Sequence, residues 1–324
     1  MPGDVTLPKR YHLGIFPTPL VEAPHLTKKL AGPRILIKRD DLTGFGFGGN
    51  KIRGLEFFIA DALAEDADVI VTGAGPQSNH VRASAAAARA AGLDIIAVLH
   101  DDRPAESRGN LLLDELLDVE LRFTGDPDRA VVDIRIEEVA DELRRAGRRP
   151  YVIPRGGTSE LGAVGYIECV RELREQLLLR KLSPTWLVVT TGACGTHAGL
   201  VAGAEIYRES YRILGITVSR PVTECRRRIE RFAILAARNV GHTIDVAEDA
   251  ILVRDGFIGP GYGVATKEGH EAIRLLAQTE GLFLDPTYTG KTMAGLIAEI
   301  ASGRLGAQDT IVYLHTGGEP ALFA

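Results

Sequence analysis

A glycine-rich run, Gly44-Phe45-Gly46-Phe47-Gly48-Gly49-Asn50-Lys51, ends in a lysine where a helical pattern begins. A lysine amine near the positive end of a helix dipole is harder to protonate, and burial lowers its pKa further. An amine in that state is a nucleophile toward a carbonyl. The same residues also fit an ordinary surface lysine beyond a flexible loop. Neither this run nor Gly290-Lys291-Thr292 matches the GxxxxGK(S/T) phosphate loop.

Five further segments offer chemistry. In Gly73-Ala74-Gly75-Pro76-Gln77-Ser78-Asn79-His80, polar groups lead into a helix whose first amides are free to bind a carboxylate. Capping by Ser78 or Asn79 is the structural alternative, and the two are compatible. Small residues in Thr191-Gly192-Ala193-Cys194-Gly195-Thr196-His197 let backbone amides approach a phosphate, but the G-x-G-x-x-G spacing of a dinucleotide site is missing. Tyr262 and Tyr288 each sit in a turn, where a hydroxyl could relay a proton or simply face solvent. His315-Thr316-Gly317-Gly318 ends an apolar run and would let backbone come close to a ligand. Cys194 and His197, three apart, could share a helix face as a nucleophile pair; a small residue in a tight turn is the plainer account. No histidine spacing suggests a metal site.

The elements that must hold these segments alternate regularly. Strands are expected at 35–38, 69–72, 95–99, 119–123, 151–153, 186–190, 213–218 and 311–315. Helices are expected at 50–64, 79–91, 108–117, 129–146, 160–179, 196–209, 222–239, 267–280 and 291–302. Strands alternating with helices of this length indicate an α/β fold with parallel sheets and right-handed crossovers. A smaller α/β domain, 53–165, inserted into a larger one formed by 1–52 and 166–324 is one layout. A tandem pair split near residue 155 is the other.

Composition narrows the class. Of 324 residues, 45% are hydrophobic and 25% charged, which suits a globular chain and excludes disordered and collagen-like ones. Lys and Arg number 38 against 43 Asp and Glu, a formal charge of −5, so no basic footprint for nucleic acid exists. Three scattered cysteines, Cys169, Cys194 and Cys225, without a CxxC point to a reducing compartment. With neither a signal-peptide pattern nor a long apolar run, a cytoplasmic, membrane-free protein is expected.

In order along the chain, Pro17-Thr18-Pro19-Leu20, Lys38-Arg39-Asp40-Asp41, Gly48-Gly49-Asn50-Lys51, Gln77-Ser78-Asn79-His80, Asp285-Pro286-Thr287-Tyr288 and His315-Thr316-Gly317-Gly318 resemble the fold-type II pyridoxal-phosphate enzymes. Within these the D-cysteine desulfhydrase and 1-aminocyclopropane-1-carboxylate deaminase family is most similar. The resemblance implies two open twisted, mostly parallel sheets flanked by helices, as in the tryptophan synthase β chain, a homodimer, and pyridoxal 5'-phosphate as cofactor. It makes Lys51 the lysine that carries the cofactor as an imine. Asn79 would meet the cofactor's phenolic oxygen, and Ser78, with Gln77, Asn79 and His80, would hold the substrate. Gly192, Ala193, Cys194, Gly195 and Thr196 would cradle the phosphate, and Tyr262 and Tyr288 would serve as acid/base or positioning groups. Thr289 and Thr316 stand beside the cofactor ring where the deaminases carry Glu and Leu, which resembles the desulfhydrase branch. The phosphate loop departs from the family at Ala193-Cys194, usually Ser-Gly, and Pro76 removes one amide from the substrate-side turn.

The activity so implied is α,β-elimination of a small β-substituted amino acid, D-cysteine to pyruvate, sulfide and ammonia foremost. Cyclopropane ring opening and L-cysteate sulfo-lysis are the alternatives within the family. A small-molecule binding protein on the same scaffold and a nucleotide-binding protein are the alternatives outside it.

Overall fold

The computed structural model describes residues 5–324. In chain order its strands are β1 Leu20–Glu22, β2 Arg34–Arg39, β3 Val69–Ala74, β4 Asp94–Leu99, β5 Glu120–Phe123, β6 Pro150–Val152, β7 Trp186–Thr191, β8 Arg212–Thr217, β9 Leu252–Arg254 and β10 Thr310–His315. The helices are α1 Pro24–Leu30, α2 Lys51–Ala64, α3 Asn79–Ala90, α4 Gly109–Leu116, α5 Arg129–Arg145, α6 Glu160–Arg180, α7 Gly195–Tyr207, α8 Val222–Asn239, α9 Lys267–Glu280 and α10 Thr289–Ala301. All eight expected strands and nine expected helices are present, most within one or two residues of their expected bounds. The short β1, β9 and α1 were not expected.

Two sheets result, in strand order β1-β2-β10-β7-β8-β9 and β5-β4-β3-β6. Only β1 runs antiparallel to its neighbour. Central strands such as β3, Val-Ile-Val-Thr-Gly-Ala, are buried throughout, as a strand covered on both faces must be. One core of the larger sheet gathers residues from α6, α7 and α8, and the other gathers residues from α9 and α10. No helix among the described residues is long and apolar enough to cross a membrane.

Helix α2 lies unusually close to α6. A Cβ at Gly54 would sit 2.7 Å from the Gly162 carbonyl oxygen, and one at Gly165 would sit 2.5 Å from the Arg53 carbonyl carbon. Only glycine allows that approach. It joins a helix that begins in the glycine-rich loop to the larger sheet's helical layer.

Candidate active site

From β7 the chain winds one way to β8 and β9, while β10 and β2 lie on its other side. Ligands bind at the carboxyl ends of strands where such a reversal occurs. The segments after β7 and β10 meet there, across from the segment after β3, around a cavity of about 390 Å³.

Lys51 opens α2 and lines this cavity. Gly49, with φ 104°, packs so tightly that a Cβ would lie 3.1 Å from the Thr316 carbonyl oxygen. The Asn50 amide donates to that same oxygen at 3.0 Å, and Asn50 Nδ2 donates to Thr196 Oγ1 at 2.9 Å. Lys51 Nζ donates to the Gly156 carbonyl at 2.8 Å, and no carboxylate among the described residues pairs with it. Burial lowers its pKa to about 8.

Ser78 caps α3, its Oγ accepting from the amides of His80 and Val81 at 3.2 and 3.3 Å. That leaves its hydroxyl hydrogen for a ligand. Asn79 lines the cavity with its Oδ1 accepting from Asn110 Nδ2 at 2.8 Å, so its own amide group remains to donate. His80 also lines the cavity, but Thr72 Oγ1 lies 2.8 Å from its Nε2 and Ser84 Oγ 3.4 Å from its Nδ1. Burial, then the nearby Lys51 charge, lowers its pKa to about 3, so the ring is neutral and part of the wall.

After β7, Gly192 to Thr196 lead into α7. The amides of Ala193, Cys194, Gly195 and Thr196 have no acceptor among the described residues, which makes four donors at a helix N-terminus. Cys194 is in the left-handed region, φ 80°, and caps the helix instead of sharing a face with His197. Its thiol is raised in pKa by its hydrogen bond with Cys225 and by burial. His197 is buried with Nδ1 2.9 Å from Thr191 Oγ1, and burial lowers its pKa to about 3. No nucleophile pair forms.

Tyr262 and Tyr288 share a hydrogen bond between their hydroxyls, with ring centroids 6.0 Å apart and an edge-on angle of 66°. Burial, then the neighbouring Tyr262, pushes the Tyr288 pKa well up, so it stays protonated. Thr316 completes the wall.

Two expected residues lie outside the cavity lining. Gln77 accepts from the Asn110 amide at 2.9 Å and donates to the Arg108 carbonyl at 3.0 Å, fixing the start of α4. Thr289 is fully buried, and its hydroxyl donates to Asp285 Oδ1 at 2.7 Å. Several lining residues escaped the sequence reading, among them Gly156, which the turn-rich Pro154–Thr158 stretch marked only as a break, and Arg129, for which no motif exists. A separate trio, Asp41, His315 and Glu319, has ligand atoms within 4.8 Å. His315 Nδ1 accepts from the Gly317 amide and Nε2 faces the Phe283 carbonyl, so neither nitrogen is free for an ion.

A sequence profile of the family described as pyridoxal-phosphate dependent enzyme matches residues 11–317. The chain is similar to a solved structure described as a 1-aminocyclopropane-1-carboxylate (ACC) deaminase homologue, at 37% identity and TM-score 0.90, covering 98% of this chain and 94% of that one. An L-serine ammonia-lyase from Rhizomucor miehei is 19% identical with TM-score 0.69, covering 96% of each chain. A diaminopropionate ammonia lyase from Escherichia coli is 16% identical with TM-score 0.65, covering 95% of this chain and 84% of that one. The last two share the fold. The donor set of the cavity suits pyridoxal phosphate: a half-buried primary amine with a lowered pKa for its aldehyde, and unbonded helix amides for its phosphate.

Proposed function

This chain belongs to the pyridoxal-phosphate-dependent enzyme family, and from that premise we propose that it eliminates the β-substituent of a small amino acid, D-cysteine first. When bound, pyridoxal phosphate supplies an electron sink for negative charge at the substrate α-carbon. Lys51 would bind it, the amides of Ala193 to Thr196 would hold its phosphate, and Asn79 would donate to its phenolic oxygen.

The carrying observation is the state of Lys51: half-buried, tied only to a carbonyl, and close enough to neutrality that a sizeable fraction is free amine near pH 8. An amine in that state can take the α-proton. Ser78 and Asn79 line the cavity, and the Ser78 hydroxyl with the Asn79 amide, which has no acceptor among the described residues, would bind the substrate carboxylate, fixing the α-carbon before Lys51. Of the Tyr262–Tyr288 pair, one hydroxyl donates to the other, which leaves a single hydrogen to offer the departing sulfur. Overall, cysteine and water give pyruvate, ammonia and sulfide, the Cβ–S electron pair leaving with sulfur.

Elimination is preferred over ring opening because Thr316, at the position where the resembling deaminases carry Leu, lines the cavity. Thr289, where those deaminases carry Glu, offers the ring no carboxylate to stabilise a positive charge, which makes a milder sink suited to good leaving groups. The description of the 37%-identical structure favours ring opening as a second reading. The deciding assay measures sulfide and pyruvate from D- and L-cysteine, and 2-oxobutyrate from the cyclopropane amino acid, with Lys51→Ala as control. Sulfide from D-cysteine, absent in the variant, is expected; 2-oxobutyrate without sulfide would reverse the preference.

A further inference from the structure

Beside the Tyr262–Tyr288 pair stands a cation, Arg129, the first residue of α5. Its guanidinium lies 4.0 Å over the Tyr262 ring. That position is unfavourable in two ways. The positive end of a helix dipole repels a cation, and a half-buried guanidinium without a carboxylate loses hydration at a cost. No carboxylate among the described residues is within ion-pair reach, because Asp133, one turn on, is held by Arg155 at 2.9 and 2.7 Å. Deprotonation offers no escape, since a guanidinium stays charged in proteins. The electron-rich face of Tyr262 is what answers it.

At rest Tyr288 is protonated: burial, then Tyr262, pushes its pKa well up, and the Arg129 charge works against that trend. The other charges near the pair are engaged. Arg220 pairs with Glu224. Buried Asp285, which disfavours negative charge on Tyr288, accepts from the amides of Thr287, Tyr288 and Thr289 and from the Thr289 hydroxyl. When the pair gives its free hydrogen to the departing sulfur, the O–H electron pair stays on the phenol oxygen. A phenolate carries a full charge and so attracts a cation more strongly than a neutral ring does. We propose that Arg129 is a positioning residue for this proton donation, stabilising the phenolate that forms on the Tyr262–Tyr288 pair and so speeding the departure of groups that must leave with a proton. The inference rests on the elimination reading for the role of the pair. Because the interaction strengthens only as charge develops, it acts on kcat and leaves KM alone.

The test compares two leaving groups on holoenzyme, both followed by pyruvate. Sulfur leaving D-cysteine takes the proton with it, whereas chloride leaves β-chloro-D-alanine without one; the L-compounds replace both if that hand is turned over instead. Arg129→Gln should lower kcat for cysteine about 10-fold, with KM and the rate on the chloro compound each changed less than about twofold. Arg129→Lys should restore part of the cysteine rate, because an ammonium over the ring supplies the same charge. Cofactor absorbance reports that each variant's site is assembled. Equal slowing of both compounds in Arg129→Gln would give the arginine a merely structural role, and no slowing of either would give it none; each result overturns the inference and keeps elimination. Wild-type turnover of the chloro compound without cysteine would likewise remove the proton donation that Arg129 is to assist. Absence of pyruvate from every compound in the wild type would sink the elimination reading itself, and this inference with it.

Discussion

Lys51 and Arg53 are two residues apart on α2 and so point about 200° apart around the helix axis. Arg53 is buried and Lys51 half-buried, and their surroundings are opposite. Arg53 binds Asp40 at 2.7 and 2.8 Å and Glu172 at 2.9 Å twice, and stacks 4.5 Å over the Phe16 ring. Lys38 Nζ also binds Glu172, at 3.0 Å, and the Tyr166 hydroxyl donates to Asp40. Burial opposes the Asp40 charge, but Arg53 overrides it and holds the carboxyl down at about 2. Lys51 has one carbonyl and no counter-charge, and burial alone decides its pKa. The same helix thus carries a fully answered charge that fixes the fold and an unanswered one available for chemistry.

The largest expected effect tests the reactive side. Lys51→Ala should lower turnover at least about 10³-fold while Tm changes by no more than about 2 °C. Equal losses of activity and stability would erase the contrast. On the answered side, Arg53→Met strands two buried carboxylates and should destabilise the protein by about 3–5 kcal/mol in urea unfolding. A loss below about 1 kcal/mol would show the cluster to be dispensable.

A smaller effect follows from pH. With the Lys51 pKa at about 8, uptake of pyridoxal phosphate by the apoprotein should quicken about tenfold between pH 7 and pH 9, followed by absorbance. A rise delayed beyond pH 10 would return Lys51 to an ordinary amine. The same shift makes stability rise with pH between about 8 and 10.5, because there the unfolded chain binds a proton that the folded one lacks.

Asp114 supplies the intermediate case. It is buried, both carboxylate oxygens lack a partner among the described residues, and burial raises its pKa to about 8. Its Arg82 neighbour is bonded elsewhere, to Asn110 and to the Gly46 and Gly48 carbonyls. The folded state keeps a proton that the unfolded state releases above about pH 4, so this group makes stability fall as pH rises from 4 to 8. Asp114→Asn should stabilise by about 1–3 kcal/mol at pH 8 and by less at pH 5. An equal gain at both would remove the titration from the account.

Periodicity made the α/β alternation legible because the strands are apolar runs of four residues or more between amphipathic helices. The edge strands β1 and β9 are three residues each, too short for a pattern, and α1 begins at Pro24 after Ala23, which offers no side-chain cap. Within the cavity, Lys51, Ser78, Asn79, His80, Tyr262, Tyr288, Thr316 and the 192–196 loop were readable because each sits in a glycine-rich or turn-rich motif. Gly156 and Arg129 were not, since their roles come from contacts with Lys51 and Tyr262, more than 100 residues away in each case. Spacing also allowed Cys194 to share a face with His197, beside the plainer account of a small residue in a tight turn, and the left-handed backbone at Cys194 bears out the latter.

The tight seam of Gly54, Gly162 and Gly165 has a geometric corollary. With α2 pinned to α6 and Asn50 tied to Thr196 and Thr316, Lys51 serves as a surveyor's fixed mark in the frame of the larger sheet. Ser78 and Arg129 belong to the other sheet's frame. Ile52, Leu55 and Phe58 of the same helix pack in the smaller sheet's core, so any shift of one frame against the other has to be absorbed along α2, next to the reactive amine.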